Sequence, residues 1–348
     1  MTSVVLVTGV STPLGARVAT DLLRARGVSK VVGIDSVPAS PDLARSMDGI
    51  RFVRVDIRNP LIATVIETEQ VDTVVHLSVT PAPVASGSRS AMKEFNVIGT
   101  MQLLAAAQNS ERMRRLVVKS STAVYGSSSA DPAVFTEDTD PPSTPSSGFG
   151  KDVVEVEGYL RGFARRRPDI VVSVLRFANV VGPTIDSSLT RYLLLPVVPT
   201  VFGYDPRLQM LHEDDAVAVV RRAATHNLHG TVNVAGSGIM PLSQAIRRAG
   251  RLSAPVPAPA IDVVARLMRG TRRVDFTPDQ ARALTFGRAV DTTRLRTAFG
   301  YRPAFTTIEA FDDFVRGRGL RPAVDPEWVD ACLRRIMTTV QSREPTDA

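Results

Sequence analysis

The chain has 348 residues, 44% of them apolar and 22% charged, which allows one large core or two modest ones and excludes wholesale disorder. Its net charge of +7 rests almost wholly on Arg, since Lys occurs only at 30, 93, 119 and 151. The basic residues are scattered apart from clusters such as Arg165-Arg166-Arg167 and Arg269 to Arg273, with no nucleic-acid-binding signature, so no nucleic-acid partner is expected.

Short apolar runs alternate with helical patterns, the signature of a parallel sheet covered on both faces. Strands are predicted over 3–8, 30–35, 51–55, 72–77, 115–120 and 170–176, and helices over 13–26, 60–69, 89–109 and 149–167. The first strand starts almost at Met1, so no signal peptide is expected. The stretch Tyr192 to Tyr204 is apolar but short and broken by Pro196 and Pro199, so it is not a membrane span. A single cysteine, Cys332, excludes an internal disulfide and a cysteine-rich metal site, and His226 and His229 show no metal-ligand pattern. These features predict a cytoplasmic protein without a metal. Ile261 to Val274 mixes apolar residues with Arg266, Arg269, Arg272 and Arg273; a helix covering a second domain is preferred there to one lying on a membrane.

The first strand runs into Thr8-Gly9-Val10-Ser11-Thr12-Pro13-Leu14-Gly15 and then a helix. A dinucleotide site needs a glycine for the tight turn and a helix N-terminus facing the pyrophosphate. Gly9, Ser11, Thr12, Leu14 and Gly15 are the candidate cofactor loop. Asp35, twenty residues past Gly15, is the acid that would bind the adenosine ribose hydroxyls, and with no basic residue before Arg45 it favours NAD over NADP. The fold class is therefore α/β, a Rossmann-type doubly wound parallel sheet. After residue 180 the rhythm breaks, and a smaller interleaved C-terminal substrate domain is predicted. The boundaries are 1–182 for the NAD-binding domain, with 209–236 returning to it near Val232-Asn233-Val234. Residues 183–208 and 237–321 form the substrate domain, including the Ala/Pro segment 254–260. A C-terminal extension, 322–348, has an end expected to be disordered.

Further landmarks resemble the NAD-dependent nucleotide-sugar epimerase/dehydratase family of extended short-chain dehydrogenases, UDP-glucose 4-epimerase-like and of actinobacterial type. They are Val55-Asp56-Ile57-Arg58, Val75-His76-Leu77-Ser78, Asn96-Val97-Ile98-Gly99-Thr100, Ser120-Ser121-Thr122-Ala123-Val124-Tyr125-Gly126 and Leu175-Arg176-Phe177-Ala178-Asn179-Val180-Val181-Gly182-Pro183. Leu211-His212-Glu213-Asp214-Asp215, Phe299-Gly300-Tyr301-Arg302-Pro303 and Glu309-Ala310-Phe311-Asp312-Asp313 extend the likeness towards residue 315. The resemblance implies that Asp56 and Ile57 frame the adenine and that Leu77, Asn96 and Lys151 also contact NAD. It implies that Ser121 and Lys151 serve catalysis and that Asn179 binds the substrate, a nucleotide sugar. Arg207 stands one residue out of register with the substrate-gripping Arg of the family; Arg207, Arg282 and Arg288 are read either as anion ligands for that substrate or as surface residues. A homodimer through helices 89–109 and 149–167 is also implied.

Two departures stand out. Thr12 replaces the middle glycine of the family's T-G-x-x-G-x-x-G, and Pro13 follows it. Together they make a sound helix start but put a side chain where backbone should approach the anion, and Pro13 has no N–H to donate. Second, Ser147 stands four residues before Lys151, where the family has its acid/base Tyr. A serine hydroxyl is far less acidic than a phenol, so altered acid/base chemistry is expected. Tyr159 is expected to face packing, and Tyr125 is not used as the base in the family. His76 and His212 are expected to be structural. The sequence leaves two functions open: an epimerase or related oxidoreductase, or a non-catalytic NAD or nucleotide-sugar sensor.

Overall fold

A computed structural model of the chain describes residues 2–81, 89–139, 145, 147–257 and 278–322. In chain order the first elements are β1 (Ser3–Thr8), α1 (Pro13–Leu23), β2 (Val28–Asp35), α2 (Pro41–Ser46), β3 (Arg51–Arg54), α3 (Leu61–Thr68) and β4 (Thr73–His76). Then come α4 (Arg89–Lys93), a π-helical turn (Glu94–Ile98), α5 (Gly99–Asn109), β5 (Arg115–Ser121), α6 (Gly148–Arg166) and β6 (Val171–Phe177). The later part contains β7 (Asn179–Val181), α7 (Ser188–Leu193), β8 (Val197–Val201), β9 (Arg207–Leu208), β10 (Met210–His212), α8 (Glu213–Thr225) and β11 (Gly230–Val234). It ends with β12 (Met240–Pro241), α9 (Leu242–Arg248), β13 (Leu252–Val256), α10 (Pro278–Phe286), α11 (Thr293–Thr297) and α12 (Thr307–Gly317).

Seven strands form one parallel sheet in the order β3-β2-β1-β4-β5-β6-β11. Strand order reverses between β1 and β4, so the crevice for a ligand opens beyond their carboxyl ends. The central strands β1 and β4 are almost wholly buried because both faces are covered, whereas the edge strand β3 is largely exposed. Leu6, Val74, Leu116 and Val118 turn towards α3, α5 and α6, while Val5, Val7, Val75 and Val117 turn towards α1 and α8. Each such side chain, taken out of water, contributes about 1.5–3 kcal/mol. The chain returns to the sheet through α8 and β11, as expected from Val232-Asn233-Val234. A separate apolar cluster holds Tyr192, Leu193, Val198, Leu208, Phe311 and Phe314, with two-stranded pairs β7/β10, β8/β13 and β9/β12 around it.

Several expectations need correction. The first helix ends at Leu23 rather than residue 26, because Gly27 at φ +88° turns the chain straight into β2. The helix expected over 89–109 is interrupted by the π-helical turn that carries Asn96. Residues 254–256 of the Ala/Pro segment end the strand β13, which lies at an edge beside β8, where Pro255 need not donate to a ladder. Among the described residues no helix is long and apolar enough to cross a membrane, and no His/Cys/Asp/Glu group could hold a metal. Segment 261–274, Cys332 and residues 323–348 lie outside the described residues.

Candidate functional site: a cofactor edge and an arginine-lined cavity

At the end of β1, Gly9 takes φ +77°, which suits glycine, and passes close to Ser78. Gly15 packs on the Gly9 carbonyl so tightly that a Cβ there would overlap it. Asp35 ends β2 and accepts the Ser11 amide at 3.1 Å, so its carboxylate is fixed beside the turn. Thr12 is the N-cap of α1: its Oγ1 donates to the Gly9 carbonyl at 2.8 Å and accepts the Gly15 amide at 3.1 Å. With Pro13 lacking an N–H, Leu14 supplies the one first-turn amide without an acceptor among the described residues. The glycine turn and the Asp35 end fit a dinucleotide; the anion cradle between them is thin.

Asp56 is held by Arg58, whose Nη2 donates at 2.6 Å and whose backbone amide donates at 2.9 Å. These hydrogen bonds keep the Asp56 carboxyl below its usual range. Ile57 is buried against Gly99, which has no side chain to clash with it. Leu77 is buried after β4. Asn96 spends its amide on Thr80, accepting the Thr80 N–H at 3.1 Å and donating to its carbonyl at 3.0 Å, and also donates to Asp152 at 3.1 Å. It shapes the loop after β4 rather than presenting a free group. Buried Asp152 is further paired with both Arg89 Nη atoms. His76 bridges Thr8 (2.8 Å) and Thr100 (3.0 Å), and burial, with Lys119 nearby, lowers its pKa to about 3; it is a neutral structural histidine. His212 stacks on Phe305 and bonds Asp313, which makes it structural too.

Next to this edge lies a cavity of about 250 Å³. Ser121 and Asn179 from the ends of β5 and β7 line it, together with Arg207, Arg282 and Arg288. Thus the expected catalytic serine and all four candidate substrate residues share one cavity. Arg207 reaches it although it is one residue out of register, because β9 pairs with β12 and carries it along the wall. Arg288 donates to the Gly126 carbonyl (2.7 Å) and Ser127 Oγ (3.0 Å), with no ion pair among the described residues. Burial pushes its pKa down to about 10. Ser121 Oγ accepts the Ala123 amide at 3.1 Å.

Ser147 and Lys151 do not line this cavity. Ser147 is the exposed N-cap of α6, in extended backbone, and makes no side-chain bond to the helix. Lys151 is half-buried one turn further on, and its ammonium has no partner among the described residues. Neither Tyr125 nor Tyr159 replaces the missing tyrosine there. Tyr125 donates to Asn233 (2.8 Å) and accepts from Arg176 (2.8 Å), which is locked to Glu157. Tyr159, expected to pack, is instead 40% exposed, since its position on α6 faces away from the sheet. Two cavity residues escaped the sequence reading. Gln209 ties the Val290 amide to the Gly236 carbonyl, and Asp279 sits at the start of α10. Neither belongs to a local motif that would announce it.

A family model described as the NAD dependent epimerase/dehydratase family matches residues 5–235. An uncharacterised protein of Mycobacterium tuberculosis is 47% identical over 345 residues, covering 98% of this chain and 92% of its own. UDP-glucose 4-epimerase 2 of Oryza sativa subsp. japonica is 32% identical over 189 residues, covering 51% of this chain and 45% of its own. Among solved structures, UDP-glucose 4-epimerase of Thermotoga maritima with UDP-glucose superposes with a TM-score of 0.70 at 19% identity, covering 90% of this chain and 98% of that one. UDP-glucuronic acid 4-epimerase of Bacillus cereus with NAD gives 0.68 at 18% identity, covering 91% and 98%. At such identities these two share the fold.

Proposed function

From the premise that the chain belongs to the NAD dependent epimerase/dehydratase family, we propose that it binds NAD and a nucleotide sugar and acts as an oxidoreductase of the epimerase kind on a sugar hydroxyl. The observation that carries this reading is the single cavity that joins Ser121 to Arg207, Arg282 and Arg288 beside the edge holding Gly9 and Asp35. Guanidinium groups that form no ion pair within 4 Å among the described residues suit a diphosphate, which takes paired N–H donors. The sugar would then point towards Ser121, whose hydroxyl hydrogen-bonds the reacting oxygen. Asp35 would hold the adenosine ribose, Asp56 and Ile57 the adenine, and the Leu14 amide the pyrophosphate. When bound, NAD supplies a reversible acceptor for a carbinol hydrogen and its electron pair. UDP-sugars are the first substrates to try, on the strength of the epimerases that the chain resembles.

The same reading includes a homodimer through the outer face of α5 and α6. Ile98, Met101 and Tyr159 are exposed there. The exposed position of Ser147 favours a second reading, a sensor that binds NAD or a nucleotide sugar without turning it over. Mass spectrometry of small molecules released on denaturing the purified protein tests the binding claim. NAD is expected; no NAD released, and no binding when NAD or NADH is added back, would refute it. Turnover with UDP- and dTDP-sugars separates enzyme from sensor.

A further inference from the structure

The start of helix α6 meets another part of the chain. The amide of Gly150, in its first turn, lies close enough to the carboxylate of Asp279 from α10 to favour its charged form. Gly148 admits this approach: it takes φ +65°, and a Cβ on it would overlap Asp279 Oδ2. Ser147, the residue positioned to cap the helix, leaves its side chain out. Asp279 Oδ2 is buried with no hydrogen-bond partner among the described residues, and Asp279 lines the cavity together with Ser121. The lining also includes Phe149 and Gly150 of the first turn of α6. A Cβ on Gly150 would come within 2.9 Å of the Ala123 carbonyl, and the Ala123 amide donates to Ser121 Oγ.

Building on the oxidoreductase reading above, we propose that Asp279 is the acid/base of this site, serving where Ser147 does not reach. A carboxylate oxygen of Asp279 would take the sugar hydroxyl proton in one direction and return it in the other; NAD, when bound, would supply the acceptor and later the donor of the carbinol hydrogen and its electron pair, and hence the oxidant for the alcohol carbon. Burial raises the Asp279 pKa against the opposing pull of the Gly150 amide, Arg282 on its own helix, Arg89 on α4 and Arg288 beyond α10. A carboxyl raised in this way acts as base only above its pKa, so turnover falls as pH drops through it.

The test uses Asp279→Asn, which keeps the shape of the side chain but takes no proton. Full-length protein loaded with NAD is mixed with UDP-glucose, UDP-galactose or dTDP-glucose, and nicotinamide reduction is followed by absorbance. The expected result is a rate lower by about 100- to 10,000-fold, loss of the acid limb of the pH profile, unchanged UDP affinity and partial rescue by Asp279→Glu. A carbon-13 NMR titration of labelled aspartates should show one carboxyl, absent from Asp279→Asn, titrating above the usual range. A variant with wild-type rate and pH profile, or an ordinary titration midpoint, overturns the assignment. Wild-type protein that binds NAD and UDP-glucose yet never reduces the nicotinamide overturns it too, leaving the binding reading intact. Protein that holds neither ligand overturns both.

Discussion

Replacing Thr12 with glycine should weaken the fold slightly and tighten the cofactor. Thr12 Oγ1 now accepts the Gly15 amide and donates to the Gly9 carbonyl, occupying the turn from within. Removing it costs a few tenths of a kcal/mol for the cap and roughly 0.5–1 kcal/mol for the added freedom of the unfolded chain. The melting temperature should fall by a few degrees, about 2–4 °C per kcal/mol for a larger domain. In return the Gly15 N–H is freed to meet a pyrophosphate oxygen. A hydrogen bond to a charged group is worth about 1.5–3 kcal/mol, which is roughly a tenfold to hundredfold gain in NAD affinity. Thr12→Ser keeps the cap and serves as the control. Titration calorimetry with NAD on wild type, Thr12→Gly and Thr12→Ser, alongside thermal melts, reads both quantities. If Thr12→Gly binds NAD no better than wild type, the pyrophosphate does not use this helix end and the reasoning fails.

Arg288→Ala should weaken UDP binding by about tenfold to a hundredfold, the loss of one charge-assisted contact; calorimetry with UDP showing equal affinity would remove Arg288 from the site. His76 has its pKa lowered to about 3, chiefly by burial. Below about pH 6.5 the unfolded chain binds a proton there and the folded chain does not, so stability that is full above pH 6.5 is lost as pH falls towards 3. The slope is up to about 1.4 kcal/mol per pH unit. Denaturant melts from pH 4 to 7 should show a shallower slope for His76→Gln, and identical slopes would refute the assignment. Met101→Asp, on the exposed face of α5, should convert a dimer to a monomer in light scattering; an unchanged mass would rule that face out as the contact.

What the sequence made legible is what depends on neighbours in the chain. Runs such as Val4-Val5-Leu6-Val7 name a buried parallel strand wherever they lie, and Gly9 followed by Asp35 marks the turn and acid of a nucleotide edge. Arg207 was harder: whether it entered the cavity depended on β9 pairing with β12, which its own register does not reveal. Asp279 was not legible at all. Its meeting with Gly148 joins residues far apart in the chain, and nothing around either residue announces the other. These two kinds of feature share a physical theme at the site. Two helix N-termini of the site, those of α1 and α6, have a first-turn amide that meets a group of the protein itself, the first bonded to Thr12 and the second close to Asp279. A helix end capped from within is more stable and less available to an anion. At α1 that trade works against cofactor affinity. At α6 the nearby group is a carboxylate whose Oδ2 is shielded against Gly148, while the residue itself lines the cavity. The loss of the tyrosine thus does not leave the cavity without an ionisable group beside Ser121. It moves that group from the first turn of α6 to α10, whose placement only the folded chain discloses.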